Sequence, residues 1–219
     1  MTASDLSFEL YWSFRSPYSY LATRRYVDLV SRYDVACDVR PVYPIAIRDP
    51  EFFDRVNPMW PPYLMRDTVR IAQMNGIPYG YPRPDPVVQQ IGVGIAKEQP
   101  YIHRLTRLGI AAVERGAGLA FIDHVSRTIW SGEVENWHEG DHLARAAKAA
   151  GLDLAELDAA IQKDPQHFED AIESNQRAHA EAGHWGVPTA VFRGEPFFGQ
   201  DRIDHLIWRL EQNGLALRV

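Results

Sequence analysis

The sequence holds a single cysteine, Cys37, among its 219 residues. An intramolecular disulfide and a dithiol redox centre each need two thiols, so both are excluded within one chain. The chain also lacks an uninterrupted apolar run close to the about 18 residues of a membrane span. Its start carries Asp5 and Glu9, where a secretory signal would carry a basic region and an apolar core. These absences predict a cytoplasmic protein with no membrane segment.

Basic residues are also fewer than acidic residues. The 23 Lys and Arg residues stand against 29 Asp and Glu residues, which gives a formal net charge of −6. The basic residues are scattered, so no basic patch is available for a phosphate backbone, and no nucleic-acid partner is expected. With 46% hydrophobic and 24% charged residues, the composition is that of an ordinary globular protein. The length fits either one core with a large insertion or two domains.

Several catalytic signatures are missing. The sequence has no G-x-x-x-x-G-K-[ST] phosphate loop and no G-x-S-x-G elbow. The segment "HEGDH" at 138–142 matches H-E-x-x-H, but a zinc site of this kind needs both histidines on one helix. Gly140 and Asp141 interrupt the segment, and the helix is predicted to begin at Asp141. We therefore interpret the motif as a polar helix start and predict no metal site.

The two ends of the chain carry strand patterns. Apolar and polar residues alternate at 6–13, which predicts a strand, and Ser16 before Pro17 marks the start of a helix. A second strand is predicted at 35–44, and a β-α-β opening of this kind normally pairs its strands in parallel. The stretch 45–63 is rich in proline and aromatic residues and predicts an irregular loop.

From Tyr63 the pattern is helical for most of 120 residues, in a segment that stops at Gly76 and in further segments from about residue 97 onward. The short apolar runs "PTAVF" and "PFFG" then predict a β-hairpin, followed by a closing amphipathic helix. Neither end can bury both faces of its strands alone, so the ends are expected to combine into one sheet. The sequence therefore predicts an α/β fold with residues 1–50 and 184–219 in one discontinuous domain and residues 51–183 in an all-helical insertion.

Three separated segments are candidates for function. Ser16 opens the first helix, where N–H groups and the helix dipole favour an anion by about 0.3–1 kcal/mol. Two interpretations stay open: an anion-binding hydroxyl, or an N-cap worth about 1 kcal/mol of stability. Pro188 either starts a strand or, in a cis peptide bond, lets Val187 offer its backbone to a ligand. Gln200 and Asp201 begin the last helix, and Asp starts helices well whatever the function.

Together, the element order and the segments "SPYSYLA", "GVPT" and "FGQDR" resemble the thioredoxin-fold family of DsbA-like proteins. The resemblance covers essentially the whole chain. Redox members of that family carry C-P-x-C at the helix start, whereas residues 16–19 here read Ser, Pro, Tyr and Ser. The loss of both cysteines resembles the glutathione-using branch, which contains the 2-hydroxychromene-2-carboxylate isomerases and the kappa-class glutathione transferases.

This resemblance implies a thioredoxin-like fold and glutathione as the cofactor. It implies that Ser16 hydrogen-bonds the glutathione sulfur and, with the helix N-terminus, holds it as a thiolate. A free thiol has a pKa of about 8.5, and such surroundings lower that pKa so that more nucleophile is present at neutral pH. Ser16 is then the donor to the anion and not itself the nucleophile.

The resemblance also implies the rest of the glutathione site. Val187, before a cis-Pro188, matches the residue that pairs with the backbone of the glutathione cysteine. Gln200 and Asp201 match the residues that take the γ-glutamyl end, with the Asp carboxylate facing the ammonium group. Asn57 matches an asparagine that contacts glutathione from a loop.

The implied activity is a glutathione-dependent cis–trans isomerisation of a small aromatic or unsaturated acid, as in the 2-hydroxychromene-2-carboxylate isomerases. Two alternatives stay open. A kappa-like transferase would release the glutathione adduct as its product, and a non-catalytic thioredoxin-fold module would only bind a thiol or a peptide. The relatives are often dimers, so the resemblance also suggests a homodimer.

Arg15 departs from the family pattern, because many relatives have an apolar residue at this position. Its guanidinium would suit a substrate carboxylate, but a solvated loop residue is the favoured interpretation. Aromatic residues of the loop and the insertion are candidates to line a substrate pocket, although plain core packing is their commoner role. These residues are Tyr18, Trp60, Tyr63 and Tyr81.

Overall fold

The structure, a computed structural model, describes residues 6–90 and 94–218. The prediction about a secretory signal rests partly on residues 1–5, which lie outside the described residues. The strands are β1 Ser7–Trp12, β2 Ala36–Pro41, β3 Gln89–Gln90, β4 Gly94–Ile95, β5 Thr189–Phe192 and β6 Glu195–Phe198.

Ten helices lie in the described part of the chain, and a 3₁₀ turn at Gln200–Arg202 precedes the last of them. They are α1 Pro17–Arg32, α2 Ile45–Arg48, α3 Phe52–Arg55, α4 Trp60–Asn75, α5 Ile102–Glu114, α6 Gly118–Trp130, α7 His142–Ala149, α8 Leu154–Lys163, α9 Pro165–Glu181 and α10 Ile203–Glu211.

One four-stranded sheet organises the molecule, with its strands in the order β2-β1-β5-β6. The pair β1–β2 is parallel, whereas β5 is antiparallel to both β1 and β6. The two ends of the chain therefore share one sheet, as the strand patterns predict. Because β1 is a central strand, the turn that follows it lies near the middle of the sheet, beside the start of β5. The domain boundaries themselves stay a prediction.

The core joins this sheet to the insertion. Phe8, Leu10 and Trp12 of β1 are buried in the same apolar cluster as Leu105 of α5 and Phe121 of α6. Each such side chain contributes about 1.5–3 kcal/mol by leaving water. The insertion is thus packed against the sheet, and this packing fixes the wall that faces the β1–α1 turn. No described helix is long and apolar enough to cross a membrane.

The prediction of an irregular loop at 45–63 is wrong. This stretch forms the short helices α2 and α3, and α4 begins at Trp60. Pro61 and Pro62 lie in the first turn of α4, where backbone N–H groups have no intrahelical acceptor, so prolines do no harm there. The helix ends at Gly76, whose φ of 62° is left-handed, as the sequence predicts.

Two further details concern the insertion. Its helices are interrupted between α4 and α5, where the described residues 76–90 and 94–101 hold no helix and include the short antiparallel β3–β4 ribbon, which the periodicity did not predict. In the "HEGDH" segment Gly140 has a left-handed φ of 58°, and α7 begins only at His142. The two histidines are therefore not on one helix. Among the described residues, no three His, Cys, Asp or Glu side chains are grouped to hold a metal ion.

Candidate functional site

A cavity of about 1370 Å³ lies where the N-terminus of α1, the turn before β5 and the start of the last helix meet the insertion. Four of the predicted site residues line it, namely Ser16, Val187, Gln200 and Asp201. Pro188 is buried directly behind Val187. Segments separated by more than 170 residues in the chain thus converge on one opening, as a single binding site requires.

Ser16 occupies the centre of this arrangement. Its backbone is extended, and its Oγ accepts a hydrogen bond from the Ser19 backbone N–H at 3.2 Å, which makes it the N-cap of α1. The same hydroxyl donates to the Val187 carbonyl oxygen at 3.2 Å. The N-cap interpretation and a position at the cavity are therefore both true of this residue.

The Val187–Pro188 peptide bond is cis, as the resemblance implies. No described residue accepts a hydrogen bond from the Val187 N–H, so this donor is available to a ligand in the cavity. Gly186 packs against the ring of Phe198, where a Cβ would lie 2.5 Å from a ring atom. This close approach needs glycine, and it fixes the turn that carries Val187.

Gln200 and Asp201 lie in the 3₁₀ turn after β6. Gly199 donates its N–H to the Pro188 carbonyl at 2.9 Å, so this turn sits beside the cis peptide bond. The Gln200 carbonyl accepts a bond from Arg25 of α1 at 3.0 Å, which ties the same turn to the Ser16 helix. The Asp201 carboxylate is exposed at the cavity.

Asn57 is not among the described residues that line the cavity. It is exposed, and its Oδ1 accepts the Met59 backbone N–H at 3.0 Å, which caps the turn leading into α4. The structure gives this residue a local role, and its contact with glutathione stays a prediction.

Arg15 is neither a free loop residue nor a free substrate ligand. Its guanidinium pairs with both carboxylate oxygens of Asp85 at 3.2 and 3.0 Å, and only 24% of its side chain is exposed. Asp85 Oδ1 also accepts the Val87 backbone N–H at 2.9 Å. The favoured interpretation of a solvated side chain is therefore wrong. The pair anchors the Pro-rich segment of the insertion to the turn that holds Ser16.

The Arg15–Asp85 pair should be coupled energetically. We expect a double-mutant cycle with Arg15→Met and Asp85→Asn to give a coupling of about 1 kcal/mol in urea unfolding, since the pair is bidentate and partly buried. The exposed pair Arg83–Glu135, at 3.9 Å, is the control and should give a coupling near zero. Additive effects of the two substitutions would contradict an anchoring role.

Aromatic rings form much of the remaining wall. Tyr18 donates its hydroxyl to Asp67 at 2.9 Å, so Tyr18 is fixed with its ring towards the cavity. Burial, with this hydrogen bond, raises the pKa of Tyr18, which keeps the phenol neutral. The prediction of Tyr63 as a wall residue is wrong, because Tyr63 is 55% exposed and does not line the cavity. The aromatic residues that line it are Tyr18, Phe53, Trp60, Tyr81, Trp130, Trp185 and Phe198.

Arg48, at the end of α2, is a lining residue that the sequence interpretation missed. It donates from Nε to the Tyr43 carbonyl at 2.7 Å and from Nη2 to the Trp185 carbonyl at 2.8 Å. Burial lowers the pKa of Arg48 to about 10, so the side chain stays charged at neutral pH. The only local signal for it was a cation just after the second strand, beside the proline-rich segment.

The lone thiol lies elsewhere. Cys37 is on β2, partly buried, and it does not line this cavity. Burial raises the pKa of its thiol, so the thiolate is not formed at neutral pH. The cavity therefore contains no nucleophilic sulfur of this chain.

The sequence and the fold match known proteins. A family model described as the DSBA-like thioredoxin domain matches residues 8–211. The solved structure of a 2-hydroxychromene-2-carboxylate isomerase is similar, with 19% identity, a TM-score of 0.72, and coverage of 94% of this chain and 95% of that one. A comparison with curated protein sequences gives no significant match.

Two further structures share the fold. One is a probable DsbA oxidoreductase from Streptomyces coelicolor, with 19% identity, a TM-score of 0.64, and coverage of 94% of this chain and 89% of that one. The other is the cytosolic disulfide reductase DsbM from Pseudomonas aeruginosa, with 16% identity, a TM-score of 0.60, and coverage of 94% and 100%. DsbM has also been solved with GSH.

These matches confirm the predicted α/β class, a thioredoxin-like fold with a large helical insertion. The chain belongs to the DSBA-like thioredoxin domain family, which includes thiol oxidoreductases and isomerases.

Proposed function

We propose that the protein is a glutathione-dependent cis–trans isomerase of the 2-hydroxychromene-2-carboxylate isomerase type, acting on a small aromatic or unsaturated acid. One observation carries the proposal: a serine hydroxyl occupies the N-terminus of α1 at the cavity, where redox relatives carry a cysteine. The chain has no second cysteine for disulfide exchange. A thiol brought by a ligand would supply the missing sulfur.

The residues present fit glutathione. The Ser16 hydroxyl and the free Val187 N–H are donors for a thiolate and a peptide carbonyl, and the Asp201 carboxylate suits an ammonium group. Pockets for one small ligand usually measure about 300–1,000 Å³. This cavity, at about 1370 Å³, is larger, so it has room for glutathione and a second molecule together.

Glutathione, when bound, would supply a thiolate for reversible addition to a conjugated carbon: addition makes the double bond single so that it can rotate, and expulsion of the same thiolate restores the double bond and regenerates glutathione. The Ser16 hydroxyl, which donates to the Val187 carbonyl here, would donate to the sulfur instead. The first-turn N–H groups and the dipole of α1 add positive potential at the same point. Both effects lower the pKa of the bound thiol and favour the anion.

The other lining residues orient the reactants. The Val187 N–H would hold the peptide backbone of the ligand, and the Asp201 carboxylate, which also accepts a hydrogen bond from Arg202 at 2.7 Å, would hold the ammonium at its γ-glutamyl end. The aromatic side chains at the cavity present flat apolar faces on which a conjugated substrate can stack.

Isomerisation should require glutathione without consuming it. We expect the purified protein to convert a cis-configured conjugated aromatic acid to its trans isomer with substoichiometric glutathione, as followed by absorbance. S-Methylglutathione should not support turnover, because it offers no thiolate. Turnover without any thiol would contradict the proposal, and a conjugate that accumulates in mass spectra would assign group transfer instead.

A further inference from the structure

The charges on the cavity wall are unequal. Among its described lining residues, carboxylates outnumber guanidinium groups: Glu51, Asp54, Asp67, Asp85 and Asp201 face Arg15 and Arg48. Three of these carboxylates are already paired, Asp67 with Arg70, Asp85 with Arg15 and Asp201 with Arg202, so an acidic ligand needs a cation that has no such partner. The ligand's carboxylate can therefore bind best at whichever of the two guanidinium groups, Arg15 or Arg48, has no carboxylate partner.

Arg15 is not free. Its Nε and Nη2 are both bonded to Asp85, which neutralises its charge. Arg48, by contrast, has no carboxylate within ion-pair distance among the described residues. Its neighbour Asp49 is paired with Arg55 instead. Among the described lining residues, Arg48 is thus the guanidinium group that has no ion-pair partner.

Arg48 is also held in place. Its two hydrogen bonds go to the neutral carbonyls of Tyr43 and Trp185. A guanidinium has five N–H donors, so three remain without an acceptor in the described part of the chain. A planar fork held in this way needs little further ordering to bind a carboxylate.

The position of Arg48 along the turn gives a direction to the ligand. The Gly199–Pro188 hydrogen bond places Asp201 on the C-terminal side of Val187, whereas Arg48 bonds to Trp185, two residues on its N-terminal side. A ligand paired with Val187 and anchored by an ammonium at Asp201 runs antiparallel to the turn. An extended chain advances about 3.3–3.6 Å per residue, so its acidic end reaches Arg48 after one or two residues.

We propose that Arg48 is the carboxylate-binding residue of this cavity, at the end opposite Asp201. Two carboxylates have this chemistry: the glycyl end of glutathione, and the acid group of the second substrate. The first source rests on the proposed function, whereas a flat conjugated acid can be tested without glutathione.

Calorimetry with matched ligand pairs tests this inference. The pairs are glutathione against its glycyl ethyl ester, and cinnamate against cinnamamide without glutathione. Arg48→Met should weaken binding of the acid about tenfold in at least one pair and leave its neutral partner almost unchanged. Arg48→Lys should restore part of the loss, because it keeps the charge but not the planar fork.

Arg55→Met is the control, since Arg55 carries the same charge nearby but is paired with Asp49 and does not line the cavity. If the role of Arg48 is only structural, Arg48→Met will weaken the binding of both members of each pair equally. That result would overturn the inference. The inference is also overturned if the wild type binds the acid no more tightly than its neutral partner in either pair. Failure of the wild type to bind glutathione, with an Arg48-dependent preference for cinnamate, would overturn the proposed function alone.

Discussion

Ser16→Ala is expected to lower glutathione-dependent turnover at neutral pH by about ten- to a hundredfold. A hydrogen bond to a charged group is worth about 1.5–3 kcal/mol, and the Ser16 hydroxyl is the side-chain donor at the N-terminus of α1. Without it the pKa of the bound thiol rises, so less thiolate is present at a given pH. The deficit should therefore shrink as the pH is raised.

The ultraviolet absorbance of the thiolate, titrated against pH with saturating glutathione, measures this shift directly. Ser31→Ala is the matched control, because Ser31 lies at the other end of α1, is exposed and donates only to the Asp28 carbonyl. S-Methylglutathione has no thiolate, so its affinity should be the same for wild type and Ser16→Ala.

Ser16 also caps α1, so the alanine variant should lose about 1 kcal/mol of stability. Unfolding curves separate this loss from the catalytic one, since a general loosening would not depend on the thiol. An unchanged pKa of the bound thiol together with full turnover would refute the role assigned to Ser16.

Local signals predicted much of what surrounds this site. Ser16 before Pro17 marks the start of α1 because a hydroxyl cap and a fixed φ both act within one turn of chain. Gly76 ends α4 for an equally local reason, its left-handed backbone. The alternation of apolar and polar residues that predicts β1 is also a property of consecutive residues. Such features can be read from the sequence without knowing the tertiary contacts.

Long-range contacts had no such signal. Arg15 and Asp85 are 70 positions apart, and no periodicity links them. The Ser16–Val187 bond spans 171 positions, and only the family resemblance suggested that these segments meet. Composition also misled at 45–63, because prolines that stop a helix interior are harmless in its first turn. The charge on Arg48 became informative only once the structure showed which cations have carboxylate partners.

The buried imidazole of His179, on α9, should make the protein acid-sensitive. Its side chain is fully buried and stacked on Tyr11 at 4.5 Å. Burial lowers the pKa of His179 to about 3, and the charges of Arg48 and His184 act in the same direction. The ring is therefore neutral in the native protein.

The sign of the effect follows from proton binding. Below the ordinary histidine pKa of about 6.5 the unfolded chain takes up a proton at this position, whereas the native state does not until the pH approaches 3. The free energy of unfolding should therefore fall by about 1.4 kcal/mol per pH unit across this window. At pH 4.5 the contribution amounts to about 3 kcal/mol relative to neutral pH.

His179→Phe should remove this part of the acid sensitivity. Phenylalanine keeps the stacked ring on Tyr11 and removes two polar nitrogens from a buried site, so the variant should be about as stable as wild type at pH 7. Urea unfolding at pH 7 and pH 4.5 should show wild type losing about 3 kcal/mol more than the variant. His205→Phe, at an exposed position of α10, is the matched control and should follow wild type. Equal losses of stability in wild type and His179→Phe would contradict the prediction, because they would mean that the buried ring takes up its proton in the folded protein.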